Sequence, residues 1–181
     1  MMAMLTAPVL IAAVLLGSTV GKKQCDVYDT DGFEVIHRLP HTYAAFSSGD
    51  VGSELLCSTA DLTYYSEEKG EVQYTLHVPG VGGGEKTDVT LDYSKTEFPA
   101  VLNLVINNDT ANLYTTESLY SDFDTCSVFK LHGENKKCVM WVARGSEDEI
   151  PDLCLHQFNC ACGPAIPLYI RHICKNTEDS Q

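Results

Sequence analysis

YSDFDTCSVFKLHGENKKCVMWVARGSEDEIPDLCLHQFNCACGPAIPLYIRHIC, residues 120–174, decides the fold: it holds six of the chain's eight cysteines and its only tryptophan, Trp141. Cys126 and Cys138 each open a short apolar run, 127–131 and 139–143, and a polar turn rich in Gly, Asn and Lys separates them. Two such runs about a turn predict a β-hairpin. Downstream, Ile150, Leu153, Cys154, Gln157 and Phe158 fall near helical spacing, and Pro151 suits a first helical turn, so 151–158 is predicted to be a helix. Cysteines crowded on both elements imply a terminal helix pinned to a β-sheet.

Working outward, residues 1–21 carry no charged side chain and contain an apolar run, 5–16, that ends in the small residues Gly17, Ser18 and Gly21. This is the pattern of a secretory signal peptide cut after Gly21, leaving one domain over 22–181. The apolar run is shorter than the ~20 residues a membrane span needs. The remaining stretch of about 160 residues is long enough for one domain with a sizeable core. Export together with eight cysteines, all beyond residue 21, favours disulfides over reduced thiols. A net charge of -13 makes nucleic acid and anionic membrane surfaces poor partners.

Phe33, Ile36 and Leu39 are helically spaced within 25–39, which predicts a short amphipathic helix ahead of Pro40. A first strand is expected at 42–47. Segments 55–65 and 71–78 flank a charged turn, and Val72, Tyr74 and Leu76 alternate with polar neighbours, as in a hairpin with one buried face. Val89, Leu91 and Tyr93 alternate again within 87–93, followed by strands at 101–106 and 113–116. With the terminal hairpin this makes about eight evenly spaced strands, an all-β pattern that suits an up-and-down barrel or a sandwich and confines helix to the ends. Asn108-Asp109-Thr110 is a glycosylation acceptor sequence on a predicted turn.

Motifs that carry chemistry are weak. In 80–87, GVGGGEKT, the position before Lys86 is Glu85 rather than glycine, and the segment leads into a strand instead of a helix, so a flexible hairpin loop fits better than a phosphate loop. Cys154, His156, Cys160 and Cys162 lack the CxxC spacing of structural zinc sites, and His37, His41, His77, His132 and His172 show no recurrent ligand spacing. Neither metal nor cofactor is expected. GxSxG and HExxH are absent and no cysteine is expected to stay free, so the chain is not read as an enzyme. What remains is a closed sheet, which at this strand number encloses room for one small molecule.

Several of these residues together resemble the tick salivary lipocalins, the family that includes the histamine-binding proteins. They are Tyr120-Ser121-Asp122 before Cys126, Trp141 in CVMWV, Ile150-Pro151 with Cys154, the last cysteine Cys174, and Cys57 with EVQYTL beyond it. The resemblance implies an eight-stranded antiparallel barrel with a helix packed outside. It also implies disulfides Cys57–Cys174 and Cys126–Cys154, and a third from Cys138 to either Cys160 or Cys162; Cys25 is assigned to whichever of the two is left. Ligand positions carried over are the acids Asp50 and Glu85 and the aromatics Tyr114 and Trp141. The chain departs from the family where Asp50-Val51-Gly52 stands for Asp-Val-Trp, and where Ser127 and Val139 stand for acids. A buried ammonium needs such carboxylates, so one of the family's two amine sites is expected to be missing.

The function this implies is a secreted, monomeric protein that sequesters a small host mediator in its barrel and so counteracts inflammation and haemostasis. The mediator is a biogenic amine such as histamine or serotonin, or an eicosanoid-type lipid. A lipid site would use Val101, Leu104, Ile106, Val139 and Trp141, with Arg144 or Lys130 meeting a carboxylate. The alternative is an interaction protein that binds a host protein, for example a complement component, through the barrel loops.

Overall fold

The computed structural model describes residues 25, 30–49, 53–81, 84–133 and 137–178. The expected signal segment and Asp50 lie outside these. In chain order the elements are α1 (Gly32–Arg38), β1 (His41–Ser48), a 3-10 turn at Ser53–Leu55, β2 (Thr59–Ser66), β3 (Glu71–Val78), β4 (Thr87–Lys95), β5 (Val101–Ile106), β6 (Leu113–Ser121), β7 (Cys126–His132), β8 (Lys137–Ala143), α2 (Asp152–Cys162), β9 (Ala165–Pro167) and α3 (Arg171–Glu178).

Strands β2 to β8 pair antiparallel in chain order, and β1 closes the barrel by pairing β8 on one side and β2 on the other. The seam is short. β1 spends only His41, Thr42 and Tyr43 on β2, and its far end, Phe46 to Ser48, pairs β9 on the same edge. Bulges at Ala44/Phe46, Leu62/Tyr64 and Ser118/Tyr120 interrupt the ladders, and each adds the local bend that a closing sheet needs.

Alternation sets which side chains point inward. In β3, Val72, Tyr74 and Leu76 are buried, and β4 answers across the ladder with Tyr93, Leu91 and Val89. This inner cluster continues through Leu102, Leu104 and Phe129 and takes in Phe33, Val35 and Ile36 of α1, which plugs one end of the barrel. A second core lies outside the wall, where Tyr43, Val128, Met140 and Val142 meet Cys154 and Phe158 of α2. Strands β7, β8 and β1 are thus covered on both faces, which is why CVMWVA is nearly unbroken apolar sequence.

The plug is fixed by its ends. Asp31 caps α1 by accepting from the Phe33 and Glu34 amides. The Tyr74 hydroxyl faces the carbonyls of Ile36 and Leu39 at 2.5 and 2.8 Å, so one phenol serves the otherwise unpaired C-terminal turn. Gly32 lies against the β4–β5 turn, donating to the Pro99 carbonyl, and a Cβ there would come within 3.2 Å of the Ala100 oxygen.

Disulfides join Cys57 to Cys174 and Cys126 to Cys154, as the resemblance implies. The open choice falls to Cys138–Cys162, with Cys25–Cys160 as the fourth bridge. Several expectations are corrected. The strand expected from Leu55 starts at Thr59, because Ser53–Leu55 forms a 3-10 turn and Cys57 adopts φ +60°, a left-handed value that no ladder accommodates. β6 runs on to Ser121 because its inward positions include Thr116 and Ser118, which hide the apolar alternation. α2 continues to Cys162, whereas β9 and α3 have no expected counterpart. Among the described residues no helix is long and apolar enough to cross a membrane.

Candidate functional site

Above the plug the inward side chains leave a cavity of about 30 Å³. Its walls are Tyr74, Tyr93, Phe129 and Trp141, its floor is Ile36 and Leu39 at the end of α1, and its polar groups are Thr42 and Ser127. Tyr74 and Tyr93 meet edge to face with ring centroids 6.4 Å apart, the arrangement ring quadrupoles favour. Burial raises both phenols above the ordinary tyrosine range, so they stay neutral donors. Ser127 lies directly across the β7–β8 ladder from Trp141, and Val139 lies across from Phe129. Both positions where the resemblance expects carboxylates therefore face the lumen, and no charged side chain among the described residues lines the cavity.

The opposite end of the barrel is its mouth, where Val78, Val89 and Ile106 are only partly buried. Tyr114 pairs with Leu104 and so sits on the inner face, but at the rim, with 38 % of its surface exposed. Glu85 is exposed in the β3–β4 loop at the same end. Of the expected ligand positions, then, Trp141 lines the cavity, Tyr114 and Glu85 stand at the mouth, and Asp50 is outside the described residues.

The lipid variant needs three corrections. Val101 faces outward, because Leu102 and Leu104 hold the inward positions of β5. Lys130 pairs with Glu117 on the outer wall, since its neighbour Phe129 takes the inner face. Arg144 is bound outside, its guanidinium 2.5 Å from Asp61 Oδ2. No cation expected to meet a carboxylate reaches the lumen.

Tyr74, Tyr93 and Phe129 were not among the expected ligand positions. The signal was present, because period-two alternation puts both tyrosines on the inward face. Only closure of the barrel aims them at one space.

Barrel register also gathers a polar cluster that the sequence scatters. Asp61 takes His41 Nδ1 at 2.7 Å and His77 Nε2 at 3.2 Å, and His77 Nδ1 reaches Asp88 at 2.7 Å. Asp61, His77, Asp88 and Arg144 border an outer groove of about 760 Å³. Partial burial raises the Asp61 carboxyl, but hydrogen bonds from His41 and Arg144 outweigh it and hold the group below the usual carboxylate range. Among the described residues the ligand atoms of Asp122, Cys126 and Cys154 also converge. Both cysteines there are spent in one disulfide, and one oxygen of Asp122 accepts from the amides of residues 124–126.

Residues 47–176 match the family model described as tick histamine binding protein. No curated protein matches the chain in sequence. Among solved structures, AM182 in its serotonin complex superimposes with a TM-score of 0.61 at 14% identity, over 83% of this chain and 97% of that one. Japanin from Rhipicephalus appendiculatus, bound to cholesterol, gives a TM-score of 0.57 at 13% identity, over 72% of this chain and 92% of that one.

Proposed function

The chain belongs to the tick histamine-binding protein family, and from that premise we propose that it is a secreted lipocalin that sequesters a small host mediator, its ring or hydrocarbon portion held in the lumen and any charged tip kept at the mouth. The observation that carries this reading is the cavity wall: aromatic rings, hydroxyls and, among the described residues, no charge. A ring system gains from contact with Trp141 and Phe129, whereas an ammonium there would be desolvated without a partner. Carboxylates for an amine tip come from Glu85 and Asp50, with Tyr114 at the rim. Removing a mediator from circulation in this way would counteract host inflammation and haemostasis. That one solved relative holds serotonin and another cholesterol supports a ligand of this shape.

A guest of that size needs more room than about 30 Å³, so the partly buried Val78, Val89 and Ile106 must give way as it enters. Calorimetric titration with histamine, serotonin, a leukotriene and cholesterol tests the proposal, with native mass spectrometry to detect an adduct. Serotonin and cholesterol, whose fused rings are larger than the imidazole of histamine, are expected to bind more tightly than histamine and to change Trp141 fluorescence. Paired Asp50→Asn and Glu85→Gln changes should weaken amines about tenfold, the loss of about 1.4 kcal/mol, and leave cholesterol unaffected. Absence of heat with all four, and of any adduct, would sink the proposal.

The small cavity also favours a second reading, in which a nearly filled barrel is a scaffold whose loops bind a host protein. An empty barrel that captures a complement component from plasma would decide for it.

A further inference from the structure

The outer wall carries a groove that neither the lumen nor its ligand uses. Tyr64, Gln73, Asp92 and Val105 stand side by side across β2, β3, β4 and β5, each directly opposite the next in the ladders. They line a depression of about 350 Å³ whose rim includes Asn108 and Thr110, the acceptor and hydroxyl residues of the glycosylation sequence. The turn bearing Asn108 is held over this groove, because Asn107 donates its amide to the Thr90 carbonyl at 2.8 Å and accepts from the Thr90 amide through Oδ1 at 3.0 Å. Asn107 and Asn108 both adopt left-handed φ, +52° and +56°, the tight hairpin conformation asparagine tolerates best after glycine. Asn108 itself is exposed.

Two features of the groove ask for an occupant. Tyr64 points out of the barrel with 41 % of its surface exposed. Beside it, Gln73 Nε2 donates to Asp92 Oδ1 at 2.8 Å, which leaves Asp92 Oδ2 buried with no hydrogen-bond partner; buried carboxylate oxygens ordinarily have one.

We propose that Asn108 carries an N-linked glycan and that its first N-acetylglucosamine lies in this groove, one sugar face on the Tyr64 ring and its hydroxyl and acetamido N–H donors toward the Gln73–Asp92 pair. The sugar is an amphipathic ring with apolar C–H faces and polar edges, and the groove offers an aromatic face flanked by acceptors. Attachment requires passage through the oxidising secretory route, which four disulfides also require. The glycan would cover the wall of β2 to β5, the part of the barrel that α2 leaves bare, and leave the mouth free for ligand.

The test uses the full chain secreted from insect cells. Intact mass is measured before and after peptide-N-glycosidase, and release of the glycan is followed in time on native and denatured protein. Wild type is expected to be modified at Asn108, with Thr110→Ala abolishing the modification. Native Tyr64→Ala should release its glycan at least about fivefold faster than wild type, the rate equivalent of one lost aromatic contact. Tyr64→Phe, which keeps the ring face, should behave as wild type, and all three should release at one rate once denatured. An unmodified Asn108, or equal native release from wild type and Tyr64→Ala, overturns the proposal.

Discussion

Replacing Ser127 by Asp places an acid where the resemblance implies one and tests whether the lumen is as dry as its lining implies. Ser127 is 2 % exposed, faces Trp141 across the ladder and lines a cavity with no charged neighbour among the described residues. The cavity of about 30 Å³ accommodates the added atoms, so the electrostatic cost dominates. A carboxyl in such surroundings is raised by about three units, from about 3.9 when unfolded to about 7, which at 1.36 kcal/mol per unit is about 4 kcal/mol. With the folded pKa above the unfolded one, the folded state binds the extra proton between the two values, so stability falls by about 1.4 kcal/mol per pH unit across that window. Below about pH 4 both states are protonated and the penalty vanishes; above about pH 7 it is complete. Urea denaturation of Ser127→Asp and Ser127→Asn at several pH values reads this directly, the Asn variant reporting the steric share. If the two variants keep equal stability from about pH 4 to about pH 8, the cavity is wet and the argument against a buried ammonium fails with it.

Exchanging Cys57 and Cys174 together for serine opens a loop of 117 residues, and the chain-entropy model puts the loss at about 5 kcal/mol; urea midpoints with the other bridges intact should show it. Tyr74→Phe removes the donor from the Ile36 and Leu39 carbonyls beneath the cavity, at an expected cost of about 1–3 kcal/mol by the same measurement. Asp61, whose folded carboxyl is held low, stabilises the protein above its unfolded pKa of about 3.9, and that contribution is lost as pH falls through the folded value. Arg144→Ala should therefore bring acid unfolding, followed by circular dichroism, to a higher pH, while wild type and variant converge once Asp61 is protonated in both.

The outer polar cluster and the lumen share β1 to β4 yet differ entirely in character, because alternate side chains of one strand leave on opposite faces. His41 and Thr42 are neighbours in sequence; one holds Asp61 on the outside and the other lines the cavity. A residue's number along a strand therefore says which side it serves, but not with whom.

That distinction separates what was legible in the chain from what was not. The terminal hairpin, the alternation of Val72, Tyr74 and Leu76, and the helix after Pro151 follow from local spacing, and resemblance added Cys57–Cys174 and the barrel itself. Strand β6 was only half legible, because Thr116 and Ser118 face inward without being apolar. Cys160 and Cys162 stand two residues apart on one helix, and only the placement of α2 against β8 gives Cys138 to Cys162 and leaves Cys160 for Cys25. The convergence of Tyr74, Tyr93, Phe129 and Trp141, the gathering of His41 and His77 on Asp61, and the space left above α1 belong to tertiary structure. Periodicity sets the face a side chain takes; closure of the sheet sets its neighbours, and the volume between them is a small remainder of many packed side chains that no local pattern encodes.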